Sequence, residues 1–489
     1  MNAFFRYLTT LIYLGACFMF YTCAQAQQID FQRCQIKVGA VERDAECGTL
    51  KRPEKPDQPN GRQIDLFVAK FPSSSPDPEA DAFTLIQGGP GGSSIDLAIS
   101  YYAILAPILA KRDVLVVDQR GTGRSNKLAC PVSEDDEDLV TFDPIRAAEA
   151  TQDCMIALQD SDLRYYTTSI AVQDLDAVRA ASGYEQLTVY GASYGTRVAQ
   201  HYLRRFPDSS RAVILDGVAH VGLSFSGGET ARRSQDALDG IIDRCATDKT
   251  CSGRFGDLKT KFEVVGDRLR EAPEEVTLAH PTSGRLVSKV ITEQHFFGVI
   301  RMMSYSTEQL AILPLLISDT HDGHYQPLAA QMLMIVESLG DSIATGMQNT
   351  VMCTEDHPFS EPSDNQKVSD TYLGSLMIDA INVTCEVWPR GPVDEDFREP
   401  IVSDVPVLIL SGEADPITPP VNGELAAKML SNAKHIVVPA HGHGVIGRGC
   451  VPALVSEFIQ SADLNELNTQ CVERERAAAF FEDSTGPRP

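Results

Sequence analysis

Short runs rich in Val, Ile and Leu alternate with amphipathic stretches in two separate parts of this 489-residue chain, at about residues 65–216 and again after residue 400. Apolar runs without polar alternation are typical of strands that are covered on both faces, and strands separated by helices favour a parallel sheet. We therefore expect an α/β protein with a mostly parallel, doubly wound sheet. The predicted strands are Ile64–Phe71, Phe83–Gln87, Val114–Asp118, Leu187–Tyr190, Ala212–Leu215, Val405–Ser411 and His435–Pro439.

Between these two parts the strand–helix rhythm stops, and mainly helical patterns such as Ala231–Cys245 and Leu258–Glu271 take its place. This arrangement predicts a core interrupted by an inserted helical cap. We place the first part of the core at residues 27–220, the cap at 221–400 and the second part of the core at 401–472. The charged segment 473–489, which ends Ser-Thr-Gly-Pro-Arg-Pro, is expected to be a flexible tail.

The first 26 residues differ from the rest of the chain. Arg6 precedes a mainly apolar run from Leu11 to Phe20, and Ala24-Gln25-Ala26 fits the small-x-small pattern of a signal-peptidase site. The apolar run is too short for a good membrane span. We expect residues 1–26 to be a signal peptide, so that the mature protein is periplasmic or secreted. Because Leu14-Gly15-Ala16-Cys17 resembles a lipobox, a lipoprotein anchored at Cys17 is the alternative.

Removal of that segment leaves ten cysteines, and an even number in an exported chain indicates disulfides. Their spacings do not fit a metal site shared with histidines, and we expect no metal and no other cofactor. The spacing favours pairing between neighbours along the chain: Cys34–Cys47, Cys130–Cys154, Cys245–Cys251, Cys353–Cys385 and Cys450–Cys471.

The formal net charge of −25 at pH 7 restricts the possible partners. Because like charges repel, we expect no nucleic acid partner and no membrane partner of the mature chain, unless Cys17 is lipidated. A peptide N-terminus is a cation and would be mildly attracted, although the acidity also serves solubility alone. The expected partner is a peptide or a small acyl substrate, and the sequence leaves the oligomeric state open.

A serine flanked by glycines stands where a predicted strand gives way to a helix. Gly191-Ala192-Ser193-Tyr194-Gly195 follows Leu187–Tyr190 and precedes the helical stretch Thr196–Phe206. This is the G-x-S-x-G pattern in its strand–turn–helix context. In so sharp a turn, a Cβ at either glycine would collide with neighbouring chain, and the hydroxyl is presented at a helix N-terminus. Ser193 is therefore the predicted nucleophile.

A second glycine-rich segment, Gln87–Ser93, follows the strand Phe83–Gln87. Acyl transfer needs two backbone N–H donors directed at the developing oxyanion. We expect one donor from Tyr194, the residue after the nucleophile, and the other from Gly88 or Gly89, where the backbone can approach substrate closely. A phosphate-binding loop is the competing interpretation, but the Gly-Lys-Ser/Thr and G-x-G-x-x-G patterns are missing here.

Such a nucleophile needs an acid and then a histidine later in the chain. The returning strands are followed by Glu413 and Asp415, and then by His441 and His443. Because parallel strands bring their carboxyl ends to one edge of a sheet, both loops are expected beside the serine. The residues favour Asp415 and His443, with Glu413 and His441 as alternatives.

Five motifs taken together resemble the proline iminopeptidase and tripeptidyl aminopeptidase family of α/β-hydrolases. The resemblance runs from about residue 60 to residue 470, and it implies the α/β-hydrolase fold with Asp415 and His443 completing the triad. Gln87 is a departure, because proline iminopeptidases usually have His at this position. The motifs are GGPGG (88–92), DQRGTGRS (118–125), GASYGTR (191–197), GEADPITPP (412–420) and HGHG (441–444).

Two further acidic segments have predicted roles. Glu355 and Asp356 lie in a stretch that resembles the cap return of the tripeptidyl-aminopeptidase-like branch. An aminopeptidase needs a carboxylate facing the substrate's α-ammonium, so we name both residues as the amine site, with a solvated acidic loop as the alternative. Asp118 and Arg120 are expected to brace the loops beside the oxyanion site.

The function that follows is that of an exported serine hydrolase, an aminopeptidase of prolyl or tripeptidyl type that releases N-terminal residues through an acyl-enzyme. A carboxylesterase or another acyl hydrolase of the same fold is the alternative, because the fold hosts many chemistries. A non-catalytic binding protein is the third hypothesis.

Overall fold

The computed structural model describes residues 28–131, 142–225, 228–360 and 368–487. In this part of the chain nine strands form one sheet and two more form a separate hairpin. The strands are β1 (Gln32–Val38), β2 (Val41–Pro53), β3 (Gln63–Phe71), β4 (Ala82–Ile86), β5 (Val114–Val117), β6 (Leu187–Ala192), β7 (Ser210–Asp216), β8 (Glu274–Ala279), β9 (Leu286–Ile291), β10 (Val407–Gly412) and β11 (Ala433–Val438).

The strand order in the large sheet is β1-β2-β3-β5-β4-β6-β7-β10-β11. The pairs from β5 to β11 are parallel, whereas β1, β2 and β3 extend one edge as antiparallel neighbours. The seven predicted strands are all present, and the α/β fold is confirmed. β1 and β2 were not predicted, because their side chains alternate between exposed and partly buried and include several charged residues.

Helices cover the large sheet on both faces. Residues that alternate along one strand, such as Val189 and Tyr190 on β6, belong to different apolar clusters, one on each side of the sheet. This double burial explains why the central strands read as continuous apolar runs. The helices of the core are α1 (Ser94–Ser100), α2 (Tyr102–Leu109), α3 (Pro144–Ala157), α4 (Thr168–Ala181), α5 (Tyr194–Arg205), α15 (Pro420–Ala427) and α16 (Val451–Ser461).

The chain between β7 and β10 forms most of a third apolar cluster, in which the rings of Phe262, Phe296 and Phe297 pack within 5.2–5.7 Å of one another. We call this segment the cap. It is mainly helical, but it also holds the β8–β9 hairpin, which the sequence did not predict. Its helices are α6 (Glu229–Thr247), α7 (Lys249–Phe255), α8 (Leu258–Glu271), α9 (Glu293–Met303), α10 (Thr307–Leu310), α11 (Leu313–His321), α12 (Gln326–Ser342), α13 (Thr345–Val351) and α14 (Leu376–Val387).

The predictions for the two ends of the chain have different outcomes. The predicted signal peptide, with Cys17, lies outside the described residues. The prediction of a flexible tail needs a correction, because the segment carries an aromatic side chain that is buried against the cap. Phe480 is 6% exposed and packs into the cap's apolar cluster beneath Arg244. Among the described residues, the helices are all too short or too polar to cross a bilayer.

The five predicted disulfides are all present, each joining neighbouring cysteines along the chain. The Cys353–Cys385 bond fastens the segment that leaves α13 to helix α14, and its cysteines are 32 residues apart. The Cys245–Cys251 bond joins α6 to α7 across only 6 residues. These bonds tie the cap internally at two places.

Replacing both Cys353 and Cys385 with alanine should lower the free energy of unfolding by about 3 to 4 kcal/mol, because the cross-link restricts a long loop in the unfolded chain. The matched control replaces Cys245 and Cys251 with alanine. The disulfide between them closes a shorter loop, so its loss should cost roughly 2 kcal/mol. Guanidinium denaturation under non-reducing conditions measures both. A larger loss in the control would contradict the loop-length argument.

Candidate active site

The turn around Ser193 has the geometry that its glycines predict. Ser193 has φ 54° and ψ −124°, between the end of β6 and the first residue of α5. A Cβ at Gly191 would lie 2.3 Å from the carbonyl oxygen of Gly195, and one at Gly195 would lie 2.2 Å from that of Ile86. The strained turn is therefore possible only because two neighbouring positions have no side chain.

Asp415 and His443 are in direct contact. The Nδ1 atom of His443 lies 2.7 Å from Oδ2 of Asp415, whose other oxygen accepts the backbone N–H groups of Ile417 and Thr418, each at 2.9 Å. Burial alone would raise the pKa of Asp415, but the nearby His443 and these hydrogen bonds lower it. Asp415 therefore stays ionised and fixes the orientation of the imidazole.

The alternative acid and histidine have other partners. The Glu413 side chain is exposed and accepts the backbone N–H of Ala440 at 2.8 Å. The ring of His441 contacts the Thr307 hydroxyl at 3.2 Å and a Glu475 oxygen at 3.4 Å. The geometry therefore pairs Asp415 with His443 and draws Glu413 and His441 into local structural contacts.

Thr418 and Asp216 also hold this pair, and the sequence did not single out either one. The Thr418 hydroxyl lies 2.8 Å from Asp415 Oδ2 and 3.0 Å from His443 Nδ1. The Asp216 carboxylate, at the end of β7, accepts the backbone N–H groups of Val445 and Ile446 just beyond His443, each at 2.9 Å. The only signal for Asp216 was an acid at the end of a predicted strand.

Asp216 also connects the histidine loop to the nucleophile turn. Its backbone carbonyl accepts the N–H of Ser193 at 2.9 Å, and a Cβ at the next residue, Gly217, would lie 3.0 Å from the His443 ring. Within the described residues, no hydrogen bond joins the Ser193 hydroxyl to His443, and such contacts often tighten only when substrate binds.

The glycine-rich loop lies against Ser193. A Cβ at Gly88 would be 2.7 Å from that of the serine. The Gly88 N–H donates to Oε1 of Gln87 at 2.8 Å, whereas the N–H groups of Gly89 and Tyr194 have no acceptor among the described residues. Of the three predicted oxyanion donors, Gly88 therefore has its N–H bonded to Gln87, and the oxyanion role of Gly89 and Tyr194 stays a prediction.

Asp118 holds this loop from behind, as expected. Its Oδ1 atom accepts the Ser93 hydroxyl at 2.7 Å and the Ile95 N–H at 3.1 Å, and its Oδ2 atom accepts the Arg124 N–H at 2.9 Å. Arg120 is 1% exposed and pairs with Asp174 at 2.6 Å. Asp118 therefore braces the glycine-rich loop, as predicted, whereas Arg120 braces the core beneath the site.

Glu355 and Asp356 are fully buried, in a π-helical turn after α13. Both oxygens of Glu355 accept from Thr168, one from its N–H at 2.7 Å and one from its hydroxyl at 2.8 Å. The same hydroxyl contacts the Tyr194 hydroxyl at 2.6 Å. Burial raises the pKa of Glu355 to about 7, although Arg197 opposes the rise.

Asp356 faces a cation of the protein itself, because its Oδ1 atom lies 3.0 Å from Nη2 of the buried Arg197. A substrate ammonium would have to share the carboxylates with this guanidinium. Amine binding by Glu355 and Asp356 stays a prediction. The contacts that the structure shows connect Glu355, through Thr168, to the residue that follows the nucleophile.

Comparison with known proteins agrees with this geometry. Residues 81–251 match the family model described as the alpha/beta hydrolase fold, and residues 371–471 match the one described as TAP-like protein. The chain has the α/β-hydrolase fold, and its C-terminal region is similar to TAP-like proteins. It is a serine hydrolase, which its similarity to proteins named serine protease and aminopeptidase supports.

This hydrolase is similar to three curated proteins in particular. It is 25% identical to serine protease Hip1 of Mycobacterium tuberculosis, with 87% of each chain covered. It is 28% identical to the tripeptidyl aminopeptidase of Streptomyces coelicolor over 39% of this chain and 38% of that protein. It is 23% identical to carboxylesterase B of M. tuberculosis over 88% of this chain and 86% of that protein.

The strain at Ser193 can be measured by comparing two substitutions. Ser193→Gly should be more stable than Ser193→Ala by about 1 kcal/mol, because a residue without Cβ adopts φ 54° at little cost. Thermal or denaturant unfolding gives the difference. At the control position Ser234, inside helix α6, glycine should instead be the less stable of the two by about 1 kcal/mol. The same order at both positions would contradict a strained turn.

Proposed function

We propose that this hydrolase is an exported aminopeptidase that cleaves peptides near their N-terminus through an acyl-enzyme on Ser193. The observation that carries the proposal is the hydrogen-bonded pair of Asp415 and His443, held at the same sheet edge as the strained serine turn. The similarity to proteins named serine protease and tripeptidyl aminopeptidase supports peptide substrates. The five disulfides are compatible with export.

In the proposed reaction, His443 takes the proton of the Ser193 hydroxyl as the oxygen attacks the scissile carbonyl. The N–H groups of Gly89 and Tyr194 stabilise the oxyanion that forms. His443 then gives its proton to the leaving amine, and a water molecule activated by the same imidazole releases the acyl product. Asp415 remains ionised throughout and stabilises the imidazolium.

A carboxylesterase is the second proposal, since the chain is similar over most of its length to a protein named carboxylesterase B. The same three residues would serve either reaction. The two functions differ in whether a free N-terminal amine is needed.

Tripeptidyl and aminoacyl arylamides with free and with acetylated N-termini separate these functions. An aminopeptidase should hydrolyse the free forms at least about 100-fold faster in kcat/KM, because acetylation removes a charge that a binding carboxylate recognises (about 3 kcal/mol for a charged hydrogen bond). Short-chain esters are measured in parallel. Ser193→Ala must abolish all of these activities. Equal rates on free and acetylated amides would exclude the aminopeptidase.

The pH dependence should report His443. Burial alone would lower the pKa of this imidazole, but the charge and hydrogen bond of Asp415 raise it above its usual 6.5, with a further contribution from Asp216. The general base must be neutral, so kcat/KM should fall as the pH drops through a midpoint above 6.5. Asp415→Asn should move that midpoint below 6.5 and cost roughly 10³- to 10⁴-fold in kcat.

The control for this pH profile is Glu413→Gln, which changes the exposed neighbouring acid and should leave both the midpoint and kcat in place. If Glu413→Gln shifted the profile and Asp415→Asn did not, the assignment of the acid would be wrong.

A further inference from the structure

Within the described part of the chain, one buried arginine of the cap has no acidic partner. Arg301, on α9, is 8% exposed. Its Nη2 atom donates to the Tyr305 hydroxyl at 3.1 Å, its Nη1 atom lies 3.4 Å from the sulfur of Met302, and its Nε atom has no partner. Its guanidinium also lies 5.5 Å from the Tyr305 ring centroid and 5.7 Å from that of Phe142. In the described residues, no carboxylate is within ion-pairing distance of it.

The other buried arginines of the described chain are each paired with a carboxylate. Arg112 contacts Asp81 at 2.8 Å, Arg120 contacts Asp174 at 2.6 Å and Arg197 contacts Asp356 at 3.0 Å. A guanidinium taken out of water is costly unless an anion compensates it, and aromatic faces compensate only part. Within the described residues, the charge of Arg301 is therefore compensated only in part, by the two aromatic faces and the Tyr305 hydroxyl.

Arg301 lies one side chain away from His443. The hydroxyl of Tyr305 accepts the hydrogen bond from Arg301, and the ring of this tyrosine meets the His443 ring edge-on, with centroids 5.5 Å apart and an interplanar angle of 80°. The backbone carbonyl of Tyr305 accepts the His443 N–H at 2.9 Å. Tyr305 is only partly buried, so part of the pair formed by Arg301 and Tyr305 is exposed to solvent.

We propose that Arg301 binds a carboxylate of the substrate beside the scissile bond, with the Tyr305 hydroxyl next to it. This inference rests on the proposed reaction at Ser193 and names the substrates it prefers. A guanidinium presents planar paired donors that match a carboxylate. A protein with a net charge of −25 repels anions at long range, so holding one at the site requires a local cation.

The carboxylate can come from an acidic side chain at the cleavage site or from the C-terminus of a short peptide. Two substrate pairs distinguish these sources. The first compares Ala-Ala-Glu with Ala-Ala-Gln arylamides, and the second compares one short neutral peptide with a free and with an amidated C-terminus. The wild-type protein should favour the carboxylate member of one pair by about 10-fold or more in kcat/KM.

Arg301→Met keeps the length of the side chain and removes its charge. The ratio of kcat/KM for the carboxylate substrate to that for the neutral substrate of the pair should therefore fall close to one, and kcat/KM for the neutral substrate should stay within about twofold of the wild-type value. Arg301→Lys should retain part of the preference, because the charge stays and the paired donors are lost. The matched control is Arg244→Met, another cap arginine over an aromatic ring, and it should keep the wild-type ratio.

No preference for a carboxylate in either pair, or a preference that survives in Arg301→Met, would overturn the proposal. Labelling of Ser193 by a fluorophosphonate shows whether each variant is folded. If Arg301→Met does not fold, the substrate preference of Arg301→Lys decides the test. If the protein cleaves only esters, the aminopeptidase proposal fails by itself. The p-nitrophenyl esters of N-acetyl-Glu, with its side chain free, and of N-acetyl-Gln then give the same comparison at Arg301.

Discussion

The geometry of the whole site depends on the hydrogen bonds that the buried carboxylate of Asp216 accepts. This residue is 1% exposed, and its carboxylate accepts the N–H groups of Val445 and Ile446 and the hydroxyl of Tyr190. Burial raises the pKa of Asp216 in spite of these donors. A buried carboxyl group without partners would be strongly destabilising, so the chain beyond His443 is drawn to the end of β7. Since the backbone carbonyl of the same residue holds Ser193, one residue sets the positions of both loops.

The cap takes part in this geometry. The carbonyl of Tyr305 accepts the His443 N–H at 2.9 Å, and the Thr307 hydroxyl accepts the Gly442 N–H at 3.0 Å. On the other side, Glu355 reaches Tyr194 through Thr168. The cap therefore contacts both the histidine loop and the residue after the serine. A movement of the cap would change the catalytic geometry together with access to it.

The sequence predicted the parts of this protein that depend on local pattern. Central strands were recognised because burial on both faces makes them continuously apolar, and the serine turn was recognised because its glycines are a steric requirement. The β8–β9 hairpin was missed because its strands are short and largely exposed on one face. No pattern in the sequence indicated a role for Arg301 or a contact between Thr168 and Glu355. Glu355 is 187 residues from Thr168, and such pairings depend on the three-dimensional fold alone.

The proposed acid and the proposed oxyanion donor show the same limit at the level of single residues. Glu413 and Asp415 lie two positions apart after one strand, and the residues themselves could only favour one of them. The fold separates them, because the turn buries Asp415 against His443 and leaves Glu413 at the surface on the Ala440 N–H. Nothing in the sequence favoured either Gly88 or Gly89 as the donor. The side chain of Gln87 distinguishes them, because it accepts the N–H of Gly88.

A triad of this kind acts on esters and amides alike, so the preference between them must come from groups outside it. A hydrolase for neutral acyl groups gains nothing from a guanidinium that is buried without an anion beside its imidazole, and it would bear the cost of desolvating that charge in every folded molecule. Within the described residues, aromatic faces offset part of this cost, and a substrate that supplies a negative charge would offset the rest. Peptides carry such charges at their C-terminus and on acidic side chains, whereas simple esters carry none. Arg301, which has no carboxylate partner among the described residues, is therefore an argument for a peptide substrate that is independent of any similarity to other proteins.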